Sequence, residues 1–352
     1  MIVERSGNLL RDDAQALVNT VNTVGVMGKG LALQFRRAFP DNYEAYLRAC
    51  ADGVVQPGKV FVTPFGEGRW VLNFPTKRHW RQRSRIEDIR DGLDDLIRIL
   101  KDLRIESIAV PPLGCGNGGL PWDVVRPLII EKLAPLDVTV HLYGPGTPSP
   151  EDMIRSEAPS KLTPSCARVL LGLRRYIATS LSAGVAVDAR TSLLEAHKVT
   201  YLMQAAGSGS QFEFEPGHYG PYSPNLDRAI SRMEGHYLVG FGDGTGGARA
   251  DLRLLPASDD TDVLISDHDG ISQAWDRVAA IATGYEYPDG MELLATVHYL
   301  ATQGDTGSVI DPEEVARQVA NWSDRKRRLF PAEDVTQAWF SLEGGGLLRP
   351  NR

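Results

Sequence analysis

Two glycine-rich loops about ninety residues apart constrain this chain more than any other feature. Residues 19–35 read NTVNTVGVMGKGLALQF, and residues 112–119 read PLGCGNGG. The first carries a strand-like apolar run through glycines into a helical pattern. Only glycine lets a backbone approach an anion closely and turn successive N–H groups toward it at a helix N-terminus. Two such loops in one short α/β unit are the equipment for gripping a diphosphate from both sides. The first loop is not a Walker A, because Lys29 precedes Gly30 rather than Ser or Thr. Nor do Gly25, Gly28 and Gly30 have the spacing of a dinucleotide fingerprint.

Around these loops, short apolar runs alternate with helical patterns. The expected strands cover 2–5, 17–21, 60–63, 71–73, 107–110 and 138–142; the expected helices cover 31–39, 42–51, 86–103 and 122–133. In 86–103, Ile89, Leu93, Leu96 and Leu100 fall on one face with charges opposite. This alternation predicts a mixed sheet sandwiched by helices. The segment GPGTPSP at 144–150 can continue neither a helix nor a central strand and reads as a linker. The length of 352 residues suits two domains: a first over 1–146, a linker over 147–162, and a mainly α second domain over 163–352. Its expected helices cover 169–181, 193–205, 226–233, 275–282, 291–300, 312–321 and 332–339.

The net charge of −7 hides an asymmetry. Residues 1–150 carry 19 Lys+Arg against 17 Asp+Glu, and the remainder carries 19 against 28. The front half can therefore accept an anionic ligand, and the back half should repel nucleic acid and attract a basic partner. Cys50, Cys115 and Cys166 are odd in number and widely spaced, which suits a reducing cytoplasm rather than a disulfide framework. No apolar run approaches the length of a membrane span, and the N-terminus has no export pattern. The seven histidines are scattered, with no zinc-ligand spacing, so neither a metal nor a cofactor is expected. Cys115 suits a phosphate cradle better than a nucleophile's setting.

Gly7, Asn8 and Leu9, the 19–35 loop, NFPTKRHWR at 73–81 and the stretch 112–122 together resemble the macrodomain family of ADP-ribose-binding modules. Within it the chain is similar to the DarG-type antitoxins, whose macrodomain removes ADP-ribose from DNA bases modified by a DarT-type toxin. The motifs KVTY at 198–201, GHYGPYSPNL at 217–226, GHY at 235–237 and GFGDG at 240–244 resemble that family's second domain. The resemblance implies an α/β macrodomain that binds ADP-ribose through Asn8, Leu9, Asn22, Gly28, Lys29, Gly30, Leu31, Thr76, Gly114, Cys115, Gly116, Asn117 and Gly118. Asn8 stands where the family places an acidic residue for the adenine amino group, and Asn22 where it contacts the distal ribose. The second domain is implied to bind and neutralise the toxin, and the acidic stretch between Asp251 and Asp269 is a candidate part of that surface.

Lys77 follows an apolar strand and the expected turn residue Pro75. That places it at a strand's C-terminal end, where open α/β folds bind ligands. A lysine there can stabilise charge on a leaving group, donate a proton to the departing base, or attack a ring-opened ribose as an amine. The resemblance makes Lys77 the catalytic residue, and the choice among these routes stays open. Related lysine-dependent hydrolases carry an aspartate in the second loop. Here that loop has none, and Asp123 reads as a first-turn charge on the following helix. Arg78, Trp80 and Arg81 form a basic, aromatic strip suited to a single DNA strand. ADP-ribosylated DNA and a DarT-type ADP-ribosyltransferase are thus the expected partners. His218, Tyr219, Tyr222 and His236 read as packing or turn residues. Two other readings stand beside this one: an ADP-ribose reader without catalysis, and a nucleic-acid-binding regulator built on the basic run 324–328.

Overall fold

The computed structural model describes residues 1–146, 148–149, 152–154, 161–265, 268–303 and 308–348. Contacts divide the chain into two units: Met1–Glu157 with Gly242–Thr245, and Ala158–Phe241 with Gly246–Arg352.

Unit 1 contains strands β1 (Ile2–Arg5), β2 (Ala16–Asn22), β3 (Phe61–Pro64), β4 (Trp70–Lys77), β5 (Ser107–Val110) and β6 (Thr139–Tyr143). They form one sheet in the order β1-β6-β5-β2-β4-β3. Every pairing is parallel except β3 with β4. Helices α1 (Gly30–Ala38), α2 (Pro40–Ala51), α3 (Ile86–Asp102) and α4 (Trp122–Leu133) complete the unit. Successive strand residues point to opposite faces, and both faces are covered. Ala16, Val18, Leu72, Phe74, Ile108 and Val140 pack under Leu93 and Leu96 of α3 and Val125 and Ile129 of α4. Leu17, Val71 and Ala109 meet Phe35 of α1 on the other side. This is the helix–sheet–helix sandwich that the alternating pattern predicts.

One position fixes how closely α3 lies on the sheet. A Cβ built on Gly92 would stand 2.3 Å from the Phe74 ring. The helix can therefore seat on β4 only with glycine there.

Strands β1 and β5 match their expected bounds, β3 and β6 start and end one residue later, and β2 and β4 run longer; one of these differences matters for the site. Pro75 is not a turn residue but lies inside β4, paired with Val21. Proline removes one ladder donor, and β3 has already stopped pairing at Asn73. The strand therefore continues to Lys77, which pairs with Asn22 after a register shift. Much of the expected linker lies outside the described residues. Within it, Met153 is buried and Ile154 packs against the Leu9–Leu10 core, so that part belongs to unit 1.

Unit 2 is mainly helical: α5 (Pro164–Ser182), α6 (Leu193–Ala205), α7 (Pro224–Met233), α8 (His268–Ala282), α9 (Pro288–Ala301), α10 (Pro312–Trp322), α11 (Asp324–Leu329) and α12 (Ala332–Gly344). Short strands β7 (Thr191–Ser192), β8 (Glu215–Gly217), β9 (Gly220–Tyr222), β10 (Leu238–Val239) and β11 (Asp251–Leu254) fill in between. Helix α6 is buried from Leu193 to Met203 and starts in a Ser192/Glu195 capping box, which marks it as the central helix.

The basic run 324–328 is α11, and its charges are mostly used internally. Lys326 is fully buried, 2.5 Å from Glu292 and 3.0 Å from Thr296. Arg325 meets Glu292 and Asp289, and Arg327 meets Asp324. Arg325 and Lys326 are therefore not free to meet a phosphate backbone, which leaves Arg327 and Arg328 as the exposed cations of the run and weakens the support for the nucleic-acid regulator. In the acidic stretch, Arg174 already pairs with Asp259 and Asp262. The side chains of Asp267 and Asp269 lie outside the described residues. Tyr222 stacks on His197 and donates to Asp227, and Arg325 sits over the Tyr219 ring. These are packing roles, as the segment's composition indicates.

Candidate active site

The C-terminal ends of the parallel strands open into a pocket of about 680 Å³, a size that suits a nucleotide-scale ligand. Both glycine loops reach it, and so does Lys77. The sheet order sets the layout. The loops leave β2 and β5 at the centre, Lys77 ends β4 on one side, and the ends of β6 and β1 lie on the other.

The first loop is shaped largely by Asn22. Its side-chain oxygen accepts from Val24 N at 3.0 Å and Val26 N at 3.2 Å, and its amide donates to Val26 O at 2.6 Å. Tyr46 donates to the Asn22 carbonyl at 2.6 Å. Below it a buried chain of polar side chains ties four elements together. Asn19 donates to Asn73 at 2.9 Å, Asn73 to Asn42 at 2.7 Å, and Thr63 to Asn42 at 2.6 Å. Gly30 begins α1 with φ of 63°, and no side chain caps that helix. Within unit 1, the Asp243 carbonyl accepts from Gly30 N at 2.9 Å.

The second loop is held from beneath by Ser84, whose N–H donates to Gly118 O at 3.0 Å. A Cβ on Gly118 would lie 2.2 Å from Ser84 Oγ and 2.3 Å from Gly114 O, so packing requires glycine there. Gly116 differs: it lines the pocket, and a Cβ would meet nothing within 4 Å. The loops come close to each other, since a Cβ on Gly30 would be 3.3 Å from Asn117 Nδ2. Burial pushes the Cys115 thiol up to about 11, which leaves it protonated and a poor nucleophile.

Lys77 is half-buried at the rim. Its ammonium donates to the Asn117 carbonyl and lies 3.5 Å from Trp80 O. Burial lowers its pKa below the usual lysine range. Asp123 sits in the first turn of α4, as expected. Beyond Lys77, Trp80, Arg81 and Arg83 line the pocket mouth, with Trp80 46% exposed and the Arg81 guanidinium 4.5 Å above its ring. Arg78 instead turns to Asp88 at 2.9 Å.

Of the expected site residues, Leu9, Asn22, Gly28, Lys29, Gly30, Leu31, Thr76, Lys77, Gly114, Gly116, Asn117 and Gly118 line the pocket; Asn8 and Cys115 do not. Asn8 accepts from Leu10 N at 3.0 Å and donates to Asp152 O at 2.7 Å. Sequence reasoning missed Tyr143, Gly144, Gly146 and Pro148, which also line it. Their position at and just after the end of β6 was the available signal.

Asp12, Asp13 and His141 bring potential metal-ligand atoms within 4.8 Å of one another. The Asp12 carboxylate is already filled: it accepts from Ala14 N and Tyr143 OH, and His141 Nδ1 stands 2.7 Å away. Burial alone would raise its pKa, but these hydrogen bonds outweigh it and hold the carboxyl below the usual range.

Residues 18–129 match the Macro domain family. A DNA ADP-ribosyl glycohydrolase of Thermus aquaticus is 42% identical over 350 residues, 98% of this chain and 93% of that protein. A DNA ADP-ribosyl transferase–DNA ADP-ribosyl glycohydrolase fusion protein of Thermosipho africanus is 40% identical over 157 residues, 40% of each chain. The solved macrodomain of Thermus aquaticus DarG is 56% identical, with a TM-score of 0.40; the match covers 41% of this chain and 99% of that one. On the near full-length identity, this chain belongs to the DNA ADP-ribosyl glycohydrolase (DarG) family.

Proposed function

We propose that unit 1 hydrolyses the N-glycosidic bond between ADP-ribose and a DNA base, and that unit 2 binds a DarT-type ADP-ribosyltransferase in the cytoplasm. The observation that carries the enzymatic reading is the pairing of Lys77 with Asn22 at one end of a pocket walled by two glycine loops. A pyrophosphate between the loops would place the distal ribose beside Lys77. Hydrolysis breaks the bond from the ribose anomeric carbon to the base nitrogen. Water supplies hydroxide to the carbon and a proton to the nitrogen. The Lys77 ammonium can stabilise or protonate the departing base.

Trp80, Arg81 and Arg83 are side chains available to a DNA strand at this mouth, whereas Arg78 is engaged by Asp88. For unit 2, the acidic excess of residues 151–352 suits a basic nucleic-acid-binding cleft on the toxin. The fused relative places a transferase and a glycohydrolase in one chain, which supports that pairing.

The test is release of ADP-ribose from a modified single-stranded oligonucleotide. Wild-type protein should release it and Lys77→Ala should not. Equal release by both would refute the role of Lys77. Tight ADP-ribose binding without any release would favour a reader. Binding of the transferase by full-length protein but not by a form lacking residues 163–352 would support the role of unit 2.

A further inference from the structure

The chain leaving β6 stays at the pocket. Gly144, Gly146 and Pro148 line the pocket together with Tyr143. Beyond them, Asp152 N donates to Ser149 O at 2.9 Å, and Ser149 Oγ donates to the Asp152 carboxylate at 3.1 Å. Met153 is buried, and Ile154 packs against the core that contains Leu9, Leu10 and Tyr143. In the sheet order, β6 and β1 are separated from β4 and Lys77 by β5 and β2.

Asn8 supplies the polar anchor. Its amide nitrogen donates to the Asp152 carbonyl at 2.7 Å, and its oxygen caps the 3-10 turn Leu9–Arg11 through Leu10 N. Both ends of the amide are therefore committed to holding the fold. Tyr143 is fixed independently by its hydroxyl on Asp12 at 2.7 Å.

We propose that Asn8 is a positioning residue that latches the segment after β6, making it the wall for the base end of the nucleotide pocket. This rests on the ADP-ribose reading of the pocket. With the pyrophosphate at the central loops and the ribose at Lys77, the base must extend toward the ends of β6 and β1. It is there gripped by a latched wall rather than by the Asn8 amide itself. The latch should govern how tightly the base end is held and leave the chemistry at Lys77 nearly untouched.

The full chain tests this with Asn8→Ser, which keeps an oxygen to cap Leu10 N but removes the donor to Asp152. Met153→Ser, which weakens the apolar anchor, is the second variant and carries the test if the first does not fold. Each should raise the ADP-ribose Kd and the KM for modified oligonucleotide about tenfold, with kcat falling less than about twofold. Amide exchange at Met153 and Ile154 should accelerate in Asn8→Ser. Unchanged exchange there, or a loss of kcat without a change in KM, overturns the latch. Wild-type protein that fails to bind ADP-ribose would overturn the reading of the pocket instead, and exchange at Met153 and Ile154 would still decide the latch.

Discussion

The Lys77 ammonium donates a hydrogen bond to the main-chain carbonyl of Asn117, linking the end of β4 to the second glycine loop. An acceptor on the loop holds the cation where the pocket needs it, and no carboxylate among the described residues pairs with it. Lys77→Ala is therefore expected to lower release of ADP-ribose about 10²–10⁴-fold while changing the ADP-ribose Kd only a few-fold. Single-turnover release and calorimetry on the same preparations check both halves.

The same cation sets an expected pH profile. Burial lowers the Lys77 pKa, so its charged form is lost at a lower pH than for an exposed lysine. If the ammonium is the working form, kcat should fall as pH rises, on a limb below the ordinary lysine range. A profile of kcat between pH 6 and about 10 tests this. Activity that instead grows across the range would point to the free amine as nucleophile, which borohydride trapping with substrate would then reveal.

Gly116 and Gly118 should answer substitution differently. A side chain at Gly116 enters open space in the pocket, so Gly116→Val should weaken ADP-ribose binding by at least about tenfold with little change in stability. At Gly118 a methyl would strike Ser84 and Gly114. Gly118→Ala should cost about 1–3 kcal/mol of stability, read by denaturant unfolding.

Gly92→Ala tests the seat of α3. The added methyl meets the buried Phe74 ring, and a destabilisation of about 1–3 kcal/mol is expected. Because Phe74 lies three residues before Lys77 in the same strand, catalysis should suffer too. Gly92→Ala combined with Phe74→Leu should recover part of the stability.

In unit 2, Lys198 is buried beside Lys326 and donates to Pro221 O. Burial, then the neighbouring Lys326, push its pKa down to about 7. The unfolded chain binds this proton up to the ordinary lysine pKa, and the folded chain gives it up near neutrality. Between those values the unfolded state holds more protons, so stability should rise with pH by up to about 1.4 kcal/mol per unit. Urea unfolding at pH 7, 8 and 9 should show that slope, and Lys198→Met should flatten it.

The sandwich was legible in the sequence because strand and helix periods alternate cleanly through residues 1–143, and α4 and α6 match their expected bounds. Both glycine loops and Lys77 were legible for the same reason, since each sits where a strand gives way to a loop. Pro75 misled because proline normally punctuates, and only the early end of β3 allows it inside β4. Asn8 and the residues after β6 were not legible as a unit. Their bond joins positions 144 residues apart in sequence, which no local pattern encodes. The basic run 324–328 looked like a surface feature because the carboxylate partners of Arg325 and Lys326 lie on α9 and become visible only when the helices pack.

Asn73 opens the NFPTKRHWR motif, yet it works entirely beneath the floor of the site, bridging Asn19 and Asn42. Each amide there donates to the next, and only the Asn19 oxygen finds no partner among the described residues, so replacing one amide strands its neighbour in a dry interior. Descendants of this chain could therefore change that foundation only in concert, several positions together.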